Sequence, residues 1–150
     1  MKPREKYLLL TILLLVSVFF FAHSQGSQKT DVDITKMSPT FVYAQVFNML
    51  IDPDEYEGKI IRIKGDFYVL SHEEDNGEVK NSFSCIVQDA TACCAQGLTF
   101  NLKGSYVYPD DYPAPGEEII VQGRFHQFDA GGFTRIELVD STLELVKSRS

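Results

Sequence analysis

Two adjacent cysteines, Cys93 and Cys94, lie in the short stretch DATACCAQG at residues 89–97. Neighbouring α-carbons are about 3.8 Å apart across a trans peptide, whereas ordinary disulfides begin at an α-carbon separation of about 4.4 Å. A disulfide between these two residues would therefore be strained and easily reduced. Without that bond, both thiolates can bind one soft metal ion such as Zn²⁺ or Cu(I). The pair predicts a metal site or a redox-active thiol pair, unless one cysteine is buried under the loop and the other is idle.

Zinc requires further ligands, because its protein sites are usually tetrahedral with nitrogen, sulfur or oxygen donors. Asp89 is the nearest further donor along the chain, and the fold can bring in Cys85, His72 or His126. None of these residues has the CxxC or HxxxH spacing of a compact zinc motif. We expect a zinc ion as the cofactor, and the predicted metal ligands are Cys93, Cys94, Asp89 and Cys85.

Cys85 also has a simpler interpretation. It lies between Phe83 and Val87 on the apolar phase of a predicted strand, where cysteine behaves as a small hydrophobic residue. This position favours a packing role for Cys85 in the core. The alternative is that Cys85 is a third metal ligand or a disulfide partner. Since the chain has three cysteines, at least one is free, metal-bound or joined to another chain.

No arrangement of residues indicates catalysis. A catalytic thiol needs a base and a group that orients this base, but His72 lies in an acidic turn and His126 points outward by its strand phase. The sequence contains no glycine-rich phosphate loop, nucleophile elbow or HExxH motif. We therefore predict no catalytic residue and a binding protein rather than an enzyme.

Two further groups of residues have plain explanations. Acidic residues cluster at 52–55 and 73–75 without the spacing of a calcium loop, which favours solvated surface charge. Tyr106, Tyr108 and Tyr112 lie in a proline-rich loop. We expect these tyrosines to cap an open end of the fold, and a stacking platform is the alternative.

The first 24 residues have the pattern of a secretory signal. Three basic residues precede the apolar run 7–22, and AHS follows it with small residues before Gln25. Because this run is shorter than the roughly 20 residues that span a bilayer, residues 1–24 are predicted to be a cleaved signal peptide, with an N-terminal anchor as the alternative. The protein is predicted to be extracytoplasmic, either secreted or held at the outer face of the cytoplasmic membrane by this segment.

The chain from residue 25 onward is acidic, with 11 basic and 20 acidic residues and a net charge of −9. Nucleic-acid binding draws much of its affinity from Lys and Arg contacts to phosphates, so this charge predicts no nucleic-acid partner. It also opposes binding to an anionic membrane surface. The expected partner is a metal ion or another exported or membrane protein. The membrane itself would be contacted only through the N-terminal segment, if that segment is uncleaved.

The elements that position the cysteine pair are mostly strands. Residues 25–37 are polar and aperiodic, which predicts a flexible leader. A helix follows, with Ser38 as its cap and Pro39 at its first position. Its predicted buried stripe is Val42, Val46, Met49 and Leu50. From residue 59 the apolar period changes to two, and five strands are predicted at 59–70, 82–89, 97–104, 118–128 and 133–146.

Five strands with a long connection between the third and the fourth match the order of an OB-fold barrel. Gly65 and Gly123 fall on the inward phase in the middle of strands, where a missing side chain lets a strand coil sharply. The predicted fold class is mainly β: a five-stranded OB-like barrel with an N-terminal helix, over residues 38–147. A five-stranded β-sandwich or an SH3-like barrel is the alternative.

Three stretches, YEGKIIRIKG, DATACCAQGLTF and YPAPGEEIIVQGRF, resemble a group of small exported bacterial OB-like proteins with a DATACC-type motif. They are also similar to the soluble C-terminal domain of a bacterial membrane-protein family encoded beside a predicted permease. The resemblance covers residues 40–145, and its most specific part is Asp89 with Cys93 and Cys94. It implies an OB-like barrel and, for the permease-associated members, a link to zinc or other metal handling. This chain lacks the several transmembrane helices of those members.

The function expected from these features is that of an exported, non-enzymatic binding domain that holds zinc or another soft metal through Cys93 and Cys94. The first alternative is a thiol–disulfide redox protein that cycles through a Cys93–Cys94 bond. The second is a protein-interaction module that uses the barrel face and the tyrosine loop, with structural cysteines.

Overall fold

The structure, a computed structural model, describes residues 29–74 and 76–146. The predicted signal or anchor at 1–24 and the first residues of the predicted leader lie outside the described residues. The elements are β1 Val32–Asp33, α1 Pro39–Ile51, a 3-10 turn Pro53–Glu55, β2 Ile60–Glu73, β3 Val79–Gln88, β4 Ala95–Leu102, β5 Glu118–Asp129 and β6 Thr134–Leu145.

Five of the strands pair in a ring. Their order is β2-β3-β4-β6-β5, and β5 pairs back with β2. The pairings are antiparallel except for that of β4 with β6, which is parallel. Along the chain, a long connection separates the third of these strands, β4, from the fourth, β5, as in an OB-fold. The predicted mainly β fold, an OB-like barrel with an N-terminal helix, is therefore confirmed, and the sandwich and SH3-like alternatives are not found.

The ring closes on β2, which changes its neighbours along its length. Its first half pairs with β5 and its second half pairs with β3, and the change falls next to Gly65. A Cβ atom at Gly65 would collide with the backbone carbonyl of Ile86, and one at Gly123 on β5 would collide with the hydroxyl of Ser141. Only glycine fits these two close approaches, as their strand phase predicted.

The inward phase of the ring strands is apolar except at Ser141 on β6, whose buried hydroxyl donates to the carbonyl of Leu138 at 2.9 Å. Phe67, Phe100 and Phe125 are at most 1% exposed, and aliphatic side chains of the ring strands fill the space around them. This core leaves the charged side chains of the strands on the outer surface, as the alternation of residues predicted.

Helix α1 packs over one side of this core, against β3 and β4. Its buried side chains are Val42, Val46 and Met49. Leu50, which was expected in the same stripe, is 40% exposed because it lies at the edge of the stripe. Pro39 occupies the first turn as predicted, while the Ser38 side chain makes no capping hydrogen bond. Within residues 29–74 and 76–146, no helix combines the length and the apolar character needed to cross a bilayer.

The connection between β4 and β5 covers one end of the barrel. Tyr112 stacks on Phe83 with ring centroids 4.1 Å apart, and Tyr108 packs on the same ring at 5.6 Å. Both tyrosines contact the buried core, whereas Tyr106 is half exposed. Two of the three loop tyrosines therefore have the expected capping role.

Residues 31–34 belong to the folded domain, so the predicted flexible leader at 25–37 needs correction. Val32–Asp33 pairs in parallel with the start of β2, and Ile34 is fully buried in the core. The carboxylate of Asp31 accepts the backbone N–H of Ile60 at 2.9 Å. Val32 and Ile34 alternate with polar residues over too short a stretch to identify a strand, and for this reason the sequence did not reveal the attachment.

Strands β2 and β3 continue past the barrel as a two-stranded hairpin. Their pairing reaches Glu73↔Val79, so His72, which was predicted in a turn, lies on β2. The hairpin residues beyond Leu70 are mostly exposed. Because both faces of this part contact solvent, its sequence lacks the apolar alternation that identifies a half-buried strand.

The variant Ile34→Ala should lower the free energy of unfolding by about 2–5 kcal/mol, because truncating a fully buried aliphatic side chain leaves a cavity. Lys36→Ala removes an exposed side chain from the same segment and should change this free energy by less than about 0.5 kcal/mol. Urea denaturation followed by circular dichroism measures both. Equally small effects would show that the segment is not anchored to the core.

Candidate metal centre

Asp89, Cys93 and Cys94 lie in the tight turn that joins β3 to β4. The backbone N–H of Asp89 donates to the carbonyl of Cys94 at 3.0 Å, and the N–H of Ala92 donates to the carbonyl of Asp89 at 3.0 Å. Ala92 has a φ of +54°, in the left-handed region that few non-glycine residues adopt. These contacts curl the chain so that the cysteine pair returns to the side chain of Asp89.

The carboxylate of Asp89 organises the inside of the turn. Its Oδ1 accepts the backbone N–H of Thr91 at 3.2 Å and that of Cys93 at 3.0 Å, which is the aspartate-centred turn that this residue type favours. Hydrogen bonds from the Cys93 thiol, the Thr91 hydroxyl and the backbone N–H groups of Cys93 and Cys94 hold the pKa of Asp89 below its usual value. The residue is therefore a carboxylate at neutral pH.

The two sulfurs and a carboxylate oxygen form a compact set of atoms that can bind a metal. Cys93 Sγ lies 3.3 Å from Asp89 Oδ2 and 3.6 Å from Cys94 Sγ. One ligand atom from each residue falls within 4.8 Å of the other two. Both cysteines are free and exposed. The structure thus brings three of the four predicted ligands together at the surface.

The local electrostatics oppose a second negative charge and favour a cation. The hydrogen bond with Cys93, together with the charges of Cys93 and Asp89, raises the pKa of the Cys94 thiol. Among the ion pairs of residues 29–74 and 76–146, none involves Asp89. A cation held between the three groups would remove this repulsion and release the thiol protons.

Cys85 does not join this set, so the prediction of Cys85 as a metal ligand needs correction. Its side chain is fully buried in the core. Burial, with a smaller contribution from the charge of Asp66, raises the pKa of the Cys85 thiol to about 12. Since the thiolate is the form that binds metals, Cys85 is a core residue, as its position between Phe83 and Val87 indicated.

Neither candidate histidine reaches the turn. His126 Nδ1 lies 3.1 Å from Glu57 Oε1 on the outside of β5, and this contact, with the N–H of Gln127, holds the pKa of Glu57 below its usual value. His72 lies on the β2–β3 hairpin with its Nε2 at 4.0 Å from Glu74. Among the described residues, the possible metal-binding group contains Asp89 and the cysteine pair only.

In the part of the chain that the structure describes, the residues of the acidic clusters lie at the surface. Asp52, Asp54 and Glu55 are exposed, and the carboxylate of Asp54 accepts a hydrogen bond from the side chain of Gln127. Glu74 pairs with Lys80 at 2.7 Å. Neither cluster belongs to a possible metal-binding group, and Asp75 lies outside the described residues.

Thr91 is the site residue that the sequence reasoning missed. Its hydroxyl oxygen lies 3.1 Å from Cys93 Sγ and 3.1 Å from each carboxylate oxygen of Asp89. It therefore links the carboxylate to the sulfur and positions both. The signal that identifies it is a Thr two residues after an Asp in a turn, because both residue types bond to nearby backbone groups.

Comparisons with known proteins identify a similar solved structure but no family. No protein-family model matches the chain, and no curated protein matches it. Among solved structures, the chain is similar to a Plasmodium falciparum SSB complex with ssDNA, at 15% sequence identity and a TM-score of 0.37. The match covers 59% of this chain and 94% of that chain.

The predicted absence of a nucleic-acid partner needs correction, because the overall charge of the chain does not exclude one. That exclusion rested on a net charge of −9 over residues 25–150, whereas the similar Plasmodium falciparum protein is in complex with ssDNA. Net charge averages over the whole surface, whereas binding of an anion depends on the potential at one face or cleft. Excluding nucleic acid from the overall charge of this chain is therefore wrong.

N-ethylmaleimide should modify Cys93 and Cys94 in the folded protein and Cys85 only after unfolding. The adjacent pair is exposed, whereas burial raises the pKa of the Cys85 thiol to about 12. Because the thiolate is the reactive form, mass spectrometry at about pH 8 should show two additions without denaturant and a third in guanidinium.

The control variant Cys85→Ala should lose the third addition and keep the first two. Rapid addition at Cys85 in the folded protein would contradict its burial.

Proposed function

We propose that this protein is an exported, non-enzymatic domain that binds one Zn²⁺ or similar soft metal ion through Cys93, Cys94 and Asp89. The observation that carries the proposal is the convergence of three ligand atoms within 4.8 Å of one another in a single tight turn. Two thiolates and a carboxylate are a donor set that zinc accepts. The sequence resemblance to permease-associated bacterial domains supports the same function.

Two of the three distances between the ligand atoms are close to those around a tetrahedral ion. With metal–sulfur bonds of about 2.3 Å and metal–oxygen bonds of about 2.1 Å, tetrahedral angles place two sulfurs about 3.8 Å apart and a sulfur and an oxygen about 3.6 Å apart. The observed separations are 3.6 Å between Cys93 Sγ and Cys94 Sγ and 3.3 Å between Cys93 Sγ and Asp89 Oδ2. The third separation, between Cys94 Sγ and the Asp89 carboxylate, is at most 4.8 Å, so binding would draw these two groups together.

The fourth ligand position would remain available to water or to a partner. Three protein ligands plus one open position are typical of zinc sites that exchange a ligand, whereas structural sites have four protein ligands. The exposure of both cysteines also favours access from solvent. We infer that the domain exchanges its metal with the surroundings or with a partner, and that the ion does not hold the fold together.

A thiol–disulfide role is less well supported than metal binding. Disulfide exchange proceeds through a thiolate, which is stabilised by neighbouring positive charge. The hydrogen bond and the charge of Cys93, with a smaller contribution from the charge of Asp89, instead raise the pKa of the Cys94 thiol. The interaction-module alternative is also less well supported, because Tyr108 and Tyr112 of the tyrosine loop pack on the barrel core.

Zinc should bind with one ion per chain, and the double variant Cys93→Ser/Cys94→Ser should abolish this binding. The expected loss reflects removal of two of the three ligands. Asp89→Asn should weaken zinc binding by about tenfold or more, because it removes a charged ligand that also orders the turn. Equilibrium dialysis of reduced protein, with elemental analysis, measures stoichiometry and affinity.

The matched control is Cys85→Ala, which removes a sulfur outside the set and should keep the zinc affinity of the native chain. Absence of stoichiometric zinc, or equal affinity in the native chain and the double serine variant, would overturn the proposed function.

A further inference from the structure

A cleft of about 440 Å³ opens between the start of the helix and the barrel. Its walls are strand β2 at residues 64–66, the end of β3 at residues 86–88, the segment 34–37 and the first turn of α1. Asp89 of the candidate metal centre lies at its border. A cavity of this size is within the range of sites that bind small ligands or a few residues of peptide.

The cleft exposes a part of β2 that has no neighbouring strand on this side. β1 pairs with β2 as far as Arg62, and β3 pairs with β2 only from Asp66 onward. The chain turns away after Ile34, whose carbonyl accepts the N–H of Met37. In the described part of the chain, Lys64 is therefore registered with β5 and with no strand on its other side.

The backbone of Lys64 points into this gap. The carbonyl of Arg62 accepts the N–H of Ile34, on the side of β1, while the N–H of Phe67 donates to Glu117, on the side of β5. Successive residues of a strand direct their backbone groups to opposite sides. The N–H and C=O of Lys64 consequently face the same side as those of Arg62, where they form a short strand edge.

We propose that this cleft binds an extended peptide segment of a partner protein, which adds a short strand beside Lys64. A strand edge with available N–H and C=O groups is a template for such pairing, in which main-chain hydrogen bonds provide affinity and side-chain contacts provide specificity. The open edge between Arg62 and Asp66 is about 13 Å long at about 3.3 Å per residue. This length accommodates about four residues of peptide.

The walls of the cleft specify the side chains of that peptide. Ile34, Val42 and Val87 are buried apolar residues that line it, so they suit one aliphatic side chain. Lys36 and Asp66 also line it, and within the described residues neither has an ion pair or a side-chain hydrogen bond. The expected peptide has an aliphatic residue with an acidic residue on one side and a basic residue on the other.

The peptide site is separate from the proposed metal function. Its hydrogen-bonding groups belong to β2, whereas the metal ligands belong to the turn after β3. Asp89 borders both, so binding is measured with a chelator present and again in the variant Cys93→Ser/Cys94→Ser. Peptide binding is expected to persist under both conditions, whatever the result of the zinc measurements.

The test uses the ¹⁵N-labelled chain and a pool of capped pentapeptides with a central Val and with Lys and Glu at varied flanking positions. Binding should shift the amide signals of Lys64, Gly65 and Gln88, and it should slow hydrogen exchange at the Lys64 amide by about tenfold or more. If no peptide of the pool shifts these signals, or if the shifts fall on another face, the proposal is wrong.

A pair of variants at one position separates the backbone contact from the side chain. Lys64→Pro removes the N–H that faces the cleft and should weaken binding of the selected peptide by about tenfold or more. Lys64→Ala keeps this N–H and loses the ion pair with Glu118, and should bind within about threefold of the native chain. Equal affinity of the two variants would contradict strand addition. Circular dichroism shows whether each variant folds. If Lys64→Pro does not fold, the hydrogen-exchange measurement at the Lys64 amide of the native chain tests strand addition.

Discussion

The whole architecture depends on one strand that serves two neighbours in succession. β2 pairs with β5 through its first half and with β3 through its second half, and the change of partner falls next to Gly65. The carbonyl of Ile86 occupies the space that a side chain at this position would need. β3 is registered with β2 only from Asp66 onward, so within the described residues Lys64 has no strand partner on that side. Ring closure and the strand edge at Lys64 therefore both fall where β2 changes its partner.

The three cysteines show how position in this architecture decides the chemistry of one residue type. Cys85 lies on the inward phase of β3, where burial raises the pKa of its thiol to about 12 and removes it from solvent. Cys93 and Cys94 lie only a few residues further on, in a turn outside the barrel, and both are exposed. The carboxylate of Asp89 orders that turn and lies 3.3 Å from the first of the two sulfurs. A preorganised group of negative donors at the surface suits a cation better than it suits disulfide exchange.

Patterns that repeat along the chain were predictable. The period of two identified the ring strands and their inward residues, and helical spacing identified Val42, Val46 and Met49. Features without a repeating pattern were not predictable. Ile34 lies in a polar segment where only Val32 alternates with it, yet it is fully buried. The hairpin beyond Leu70 is strand with solvent on both faces, so its sequence does not alternate.

The sequence by itself determined the fold class, the adjacency of Cys93 and Cys94, and the proximity of Asp89, because each is a property of local spacing. Only the tertiary structure decided which other residues join them. It placed Cys85 in the core, His126 beside Glu57 and His72 on a distant hairpin, and it brought the Thr91 hydroxyl to the sulfur of Cys93. It also left Lys64 between the ends of two strand pairings. The physical reason is that strand register and turn curvature set distances between residues far apart in the chain, and residue types along one strand carry no information about these distances.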